Sequence, residues 1–219
     1  MPSMSVKEYS MKLGTDLAKA RRWSRELLGP DPKATRQSGF KRELTSGEAW
    51  EIYLGGVLIS EGKFLVHEAK SILRDLRPFL KQHLLYPGKE TILDHLPETE
   101  TGSKKSIPIE IHIQTFERRY ERGRKVNGFC YEIHRYLKRR RIDRQTDSRN
   151  ARRYTLEAQY EVLELGLPDS YYELDLDDGG PDIRVNRSRI FVLDVFDEFV
   201  RFMSLAEGVH FVWSLGFDP

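Results

Sequence analysis

The stretch ARRWSRELLGPDPKATRQSGFKRELTSGEAW, Ala20–Trp50, sets two arginines beside a tryptophan, then two prolines, then a basic run around a glycine. Around its start, Leu17, Ala20, Ser24, Leu27 and Leu28 recur at helical spacing, with Thr15 placed as N-cap and Asp16 favourable in the first turn. At about 100° per residue the opposite face centres on Arg22, with Lys19, Arg25 and Glu26 around it and Arg21 on the flank. Trp23 falls between the two faces and is read as a packing residue. GPDP, Gly29–Pro32, stops the helix. KATRQSGFKREL, Lys33–Leu44, is expected to form a small hairpin turning near Ser38 and Gly39. Phe40 and Leu44 point inward in this reading, with Arg36, Lys41 and Arg42 at its basic tips.

Downstream, Thr45-Ser46-Gly47-Glu48 is a capping box, in which a hydroxyl and a carboxylate satisfy the first free amides of a helix. Trp50, Tyr53, Leu54, Val57 and Leu58 then make one apolar stripe, and Gly62 ends it. Leu65, Ala69, Ile72, Leu73, Leu76, Phe79, Leu80 and Leu84 predict a further helix to about residue 85, kinked near Arg77 by Pro78. The segment from Tyr86 to Pro108 is rich in Pro, Gly, Thr and charge and is read as a linker. The expected organisation is therefore a helical domain over 1–85, a linker over 86–107 and a second domain over 108–219.

The second half has a different period. SIPIEIHIQTFERRY, Ser106–Tyr120, alternates Ile107, Ile109, Ile111 and Ile113 with polar residues, as a strand with one buried face does. Gly128–Ile142, Arg153–Leu165, Tyr171–Leu176 and Asp182–Val185 also look extended, predicting three to five antiparallel strands. Ser188–Ala206 is read as a capped apolar helix that lies across the sheet or pairs with a second chain. The fold class that follows is α+β, a mostly helical front with a small β wing before an antiparallel sheet and a C-terminal helix. The many aromatics between residues 109 and 219 are assigned to core packing.

Charge divides the chain along the same line. Of its 219 residues, 1–153 carry 32 Lys/Arg against 20 Asp/Glu, and 154–219 carry 4 against 14. A basic front suits a polyanion, and an acidic end suits another partner or self-shielding. Arg135–Tyr154 concentrates nine Lys/Arg against two Asp and is read as a basic loop, a source of nonspecific phosphate contacts or a solvated connection. The single cysteine, Cys130, excludes an internal disulfide and any site built from several thiolates, which suits a reducing compartment. With neither a signal-peptide pattern nor an apolar run of about 18 residues, the chain is expected in the cytoplasm, away from membranes.

Candidate chemistry is sparse. Glu110-Ile111-His112 is echoed by Glu132-Ile133-His134, and two His with two Glu are metal-ligand types. A hairpin turning near Arg124 and Lys125 sets His112 opposite Leu137 and His134 opposite Thr115, leaving the histidines about 10 Å apart along the strand. No metal site is assigned. DLDDGGPD, Asp175–Asp182, begins like a calcium loop, but Gly179 and Asn186 stand where Asp or Asn and Glu are wanted. Phosphate loops, nucleophile elbows and paired zinc-ligand motifs are absent, and Cys130 between Phe129 and Tyr131 is read as core. Neither an enzyme nor a cofactor is expected.

The order of parts resembles a known family. A short helix, LAKARRWSREL, a proline-bearing link, SGFKREL, a capped helix, SEGKF and a fourth helix resemble the winged-helix DNA-binding domain of the MerR transcription regulators over about residues 6–80, roughly a third of the chain. The resemblance implies that ARRW, Ala20–Trp23, belongs to a recognition helix and GFKRELTSGEAWEI, Gly39–Ile52, to a wing leading into a capped helix. Ser24 and Arg25 depart from the acidic residue usual after the aromatic pair, and one cysteine excludes the family's thiolate-based sensing.

The residues carry the same expectation physically. Lys19, Arg21, Arg22 and Arg25 can reach base edges, and Arg36, Lys41 and Arg42 phosphates. The expected function is a sequence-specific, double-stranded-DNA-binding transcriptional regulator, a homodimer whose C-terminal domain senses a small-molecule ligand or mediates assembly. Alternatives are a phage or mobile-element adaptor of excisionase or packaging-subunit type that docks a recombinase or motor, and a protein-interaction module with no DNA role.

Overall fold

The computed structural model describes residues 3–30, 42–96, 104–105, 109–119, 125–143, 154–163, 184–208 and 213–214. A two-residue strand, β1 (Met4–Ser5), leads into α1 (Val6–Lys12), where the Ser5 hydroxyl accepts a hydrogen bond from the Glu8 amide. Gly14, at φ +61°, turns the chain towards α2 (Leu17–Glu26). The cap of α2 is Asp16 rather than Thr15. The Asp16 carboxylate accepts from the Lys19 amide at 2.9 Å, while the Thr15 carbonyl is used inside the turn by the Ser10 hydroxyl. After residues outside the description, β2 (Glu43–Leu44) pairs antiparallel with β1, Met4 opposite Leu44. Then α3 (Ser46–Ser60) starts from the expected capping box, with Thr45 and Glu48 bonding reciprocally.

Gly62 closes α3, since a Cβ there would lie 2.5 Å from the Leu58 carbonyl oxygen. The next helix, α4 (Val66–Gln82), runs through Pro78. Tyr86–His95, expected as part of a linker, instead belongs to the helical unit, with a short turn at Ile92–Asp94 and Leu93 buried. The Tyr86 hydroxyl is one reason: it donates to Glu51 at 2.8 Å.

The remaining elements are β3 (Lys104–Lys105), β4 (Ile109–Arg119), β5 (Lys125–Asp143), β6 (Tyr154–Leu163), β7 (Arg184–Asp194), α5 (Val195–Glu207) and β8 (Trp213–Ser214). β3 pairs parallel with β8, and the other four form an antiparallel sheet in the order β6-β5-β4-β7. The protein is thus mixed α+β. As the alternation predicts, Ile109, Ile111 and Ile113 share a buried face, joined by Ile133 and Leu193. Ile107, Tyr171–Leu176 and the loop from Asp175 lie wholly or largely outside the described residues.

Two expectations need correction. Ser188–Asp194 is strand, not helix: Leu193 pairs with Ile111 and Phe191 with Ile113, so the period-2 partner wins over a helical reading of the same apolar run. The loop reading of the basic segment fails over Arg135–Asp143 and at Tyr154, which are strand as the extended reading of Gly128–Ile142 and Arg153–Leu165 has it, with 144–153 outside the description.

The chain divides into two compact units, one holding α1 to α4 and, from Asp197, nearly all of α5, the other holding the sheet. The C-terminal helix therefore does not group with the sheet as expected. Its aromatic side chains explain why. Phe199 meets Trp50 edge-on at 5.3 Å between ring centres, Phe202 lies 5.2 Å from Trp50 and 5.6 Å from Tyr53, and all but Tyr53 are fully buried. The Tyr53 hydroxyl donates to Glu198 at 2.6 Å, and the Lys12 ammonium donates to the Ala206 carbonyl at 2.9 Å.

Around α3 the packing is close on every side. A Cβ at Gly55 would lie 2.5 Å from Leu27 Cδ1, and one at Gly56 2.7 Å from the Trp23 ring, so α2 rests directly on the α3 backbone. Glu51, 7% exposed, is satisfied by the forked Arg77 guanidinium, whose Nε and Nη2 donate at 2.7 Å each, and by Tyr86.

Gly56→Ala is expected to lower stability by about 1 to 2 kcal/mol, because displacing a rigid ring costs roughly 1 to 3 kcal/mol and the gain in helix propensity returns at most about 1. Denaturant midpoints of the two proteins check it. Burial raises the phenol pKa of Tyr9, and burial with the Glu198 and Glu51 carboxylates raises those of Tyr53 and Tyr86. The folded chain thus keeps protons that the unfolded chain releases from about pH 10. Stability from these groups is fully present below that pH and is lost as pH rises above it; unfolding titrations between about pH 8 and 11 should show the fall, and show it reduced in Tyr53→Phe.

Candidate nucleic-acid interface

On α2, Ala20 and Ser24 are buried, with Leu27 beyond its end, while Ala18, Lys19, Arg21, Arg22, Arg25 and Glu26 are exposed. All four sequence-predicted base-reading cations therefore stand on the solvent side of one helix, as the wheel implies. Trp23 faces Gly56, in agreement with its reading as a packing residue. The Ser24 hydroxyl donates to the Arg21 carbonyl at 3.0 Å, a helical bond that uses the hydroxyl internally.

Each cation is held differently. Arg25 Nε donates to the Arg21 carbonyl at 3.3 Å, laying its stem back along the helix. Arg22 Nε reaches both oxygens of Glu26, at 3.1 Å each, with the side chains 62% and 40% exposed. The sequence reading placed Glu26 on this face without giving it a part. The i, i+4 spacing was the signal that pairs it with Arg22.

Arg42 requires the main correction. Expected as a phosphate contact, it is only 13% exposed and already has its donors engaged: Nη1 to the carbonyls of Ser24 at 3.0 Å and Gly29 at 2.7 Å, and Nη2 to Glu48 Oε1 at 3.2 Å. It fastens the end of α2 and the turn at Gly29 to the capped start of α3. The other two expected phosphate contacts, Arg36 and Lys41, lie outside the described residues. Arg42→Lys keeps the charge but loses the planar fork, and is expected to cost about 2 kcal/mol of stability, against less than about 0.5 for an exposed arginine. Thermal or denaturant unfolding distinguishes these values.

Close by, the start of α3 and Tyr86–Lys89 line a cleft of about 370 Å³. The Glu48 carboxylate accepts from the Thr45 amide at this helix end, so an acceptor already occupies the place an anion would seek.

The histidine echo of the sheet also differs from the sequence reading. The strands pair with Glu110 opposite His134 and His112 opposite Glu132, bringing the two imidazoles together with ring centres 4.3 Å apart and planes 27° from parallel. The physical reason is the buried face: this register sets Ile111 against Ile133, whereas the expected one sets it against Lys138. His112 Nε2 lies 3.5 Å from Glu110 and His134 Nε2 2.8 Å from Glu132. Stacked rings keep their in-plane lone pairs in separate, nearly parallel planes, and among the described residues no three His, Cys, Asp or Glu side chains are placed to hold a metal. Cys130 is exposed, contrary to its reading as core.

No protein-family model matches the chain, and neither does any curated protein or solved structure. Among the described residues no helix is long and apolar enough to cross a membrane.

Proposed function

We propose that the chain is a sequence-specific regulator of transcription that binds double-stranded DNA through a winged helix-turn-helix, with α2 as the recognition helix. The observation that carries this reading is the two-sided character of α2. Its back is anchored on α3 through Trp23 and Leu27, and its front presents Lys19, Arg21, Arg22 and Arg25 to solvent. A helix anchored in this way can offer arginine forks to guanine edges without first paying the entropy of ordering its backbone. The order of elements supports it: α1, a tight turn, α2, a strand that returns to pair with β1, then the capped α3.

In this reading the protein acts in the cytoplasm as a homodimer, and the sheet unit takes a small-molecule ligand or a protein partner. No catalytic role is assigned to it.

Binding of labelled random duplex to the purified chain, followed between about 50 and 200 mM salt, tests the reading, because phosphate contacts make affinity fall linearly on logarithmic axes. Selection from a randomised pool then yields specific sites, and palindromic half-sites accompany a dimer. On a selected site Arg21→Ala is expected to cost roughly 1 to 3 kcal/mol, with a smaller loss on random DNA. Equal losses on both would remove Arg21 from base reading, and salt-independent or absent binding would remove DNA from the function.

A further inference from the structure

Glu26 is the anomaly on the exposed face of α2. At about 100° per residue it lies about 40° from Arg22 and one turn along, within the same strip as Lys19 and Arg25. A carboxylate there repels phosphate oxygens and weakens general attraction to a polyanion.

Helix stability does not account for it. Glu26 is the last residue of α2, where the helix dipole disfavours negative charge. Its partner Arg22 stands on the N-terminal side, the poorer orientation for an i, i+4 pair. Both side chains are exposed, and exposed pairs of this kind contribute little.

Chemistry in the major groove gives the carboxylate a use. It accepts hydrogen bonds only, so it is matched best by the amino group of cytosine; adenine offers its amino group only beside the N7 acceptor, and guanine and thymine present acceptors. By accepting from Arg22 Nε, it also limits the directions in which the remaining guanidinium donors point.

We infer that Glu26 is a specificity-determining residue, requiring a cytosine beneath it and aligning Arg22 on a neighbouring guanine. This rests on the DNA-binding reading above. Arg22 can keep its Nε bond to Glu26 while its two terminal nitrogens meet guanine, whereas a wrong base leaves the carboxylate facing acceptors, so the pair discriminates more than it attracts.

The test is selection from a randomised duplex pool with the full chain, Glu26→Gln and Glu26→Ala, with the fold of each variant checked by circular dichroism. The wild-type chain should fix cytosine at one position of each half-site. Glu26→Ala should reduce that preference about tenfold or more, and Glu26→Gln should move it towards adenine, which an amide recognises. Both variants should bind random duplex several-fold more tightly. Unchanged base preferences in both variants, even with tighter binding, would overturn the assignment and leave DNA binding itself intact. A wild-type chain that binds no duplex would overturn both together.

Discussion

The helical unit depends on α3 being buried around its whole circumference, and that depends on two glycines in its middle. Gly55 and Gly56 leave no side chain between the α3 backbone and Leu27 or Trp23, so these two side chains pack against the α3 backbone itself. The remaining sides of α3 are then free for others: Trp50 for the aromatic rings of α5, and Glu51 for Arg77 and Tyr86. Arg42 completes the arrangement by bonding to the end of α2, to Gly29 and to Glu48. The outward face of α2 is thereby presented on a support that is tight at its back and bonded at its end.

What the sequence made legible was local. The capping box at Thr45 and Glu48 concerns residues three apart, the two faces of α2 follow from one period, and the isoleucines of β4 from another. What it hid required knowledge of distant partners. Arg42 and Arg22 are the same residue type in the same basic stretch, yet one is half-buried against carbonyls that the fold delivers and the other is exposed. Asp16 and Thr15 are both good caps, and only the use of the Thr15 carbonyl in the turn decides between them. The apolar run before α5 satisfies both periods until β4 supplies strand partners. The sheet register depended on which apolar residues meet, not on a turn placed near Arg124 and Lys125. A pair of adjacent glycines inside a helix was the signal most available and least used, since each costs about 1 kcal/mol relative to alanine and calls for a packing reason.

The division of charge along the sequence is not the division between the two units. The acidic C-terminal third contributes α5 to the unit that holds the basic α2. There the Glu198 carboxylate is spent on the Tyr53 hydroxyl, an internal contact and not an acidic surface.

The docking of α5 on α3 also bears on how the protein is made. Trp50 leaves the ribosome long before Phe199 and Phe202, and at roughly 5 to 20 residues per second the delay is on the order of ten seconds. For that time the indole lacks the rings that finally enclose it, while the nascent chain is still adding the strands of the sheet. The helical unit is first in the sequence but waits for α5, which follows all four strands of the antiparallel sheet. Its finished form thus reports that the whole chain has been synthesised up to α5.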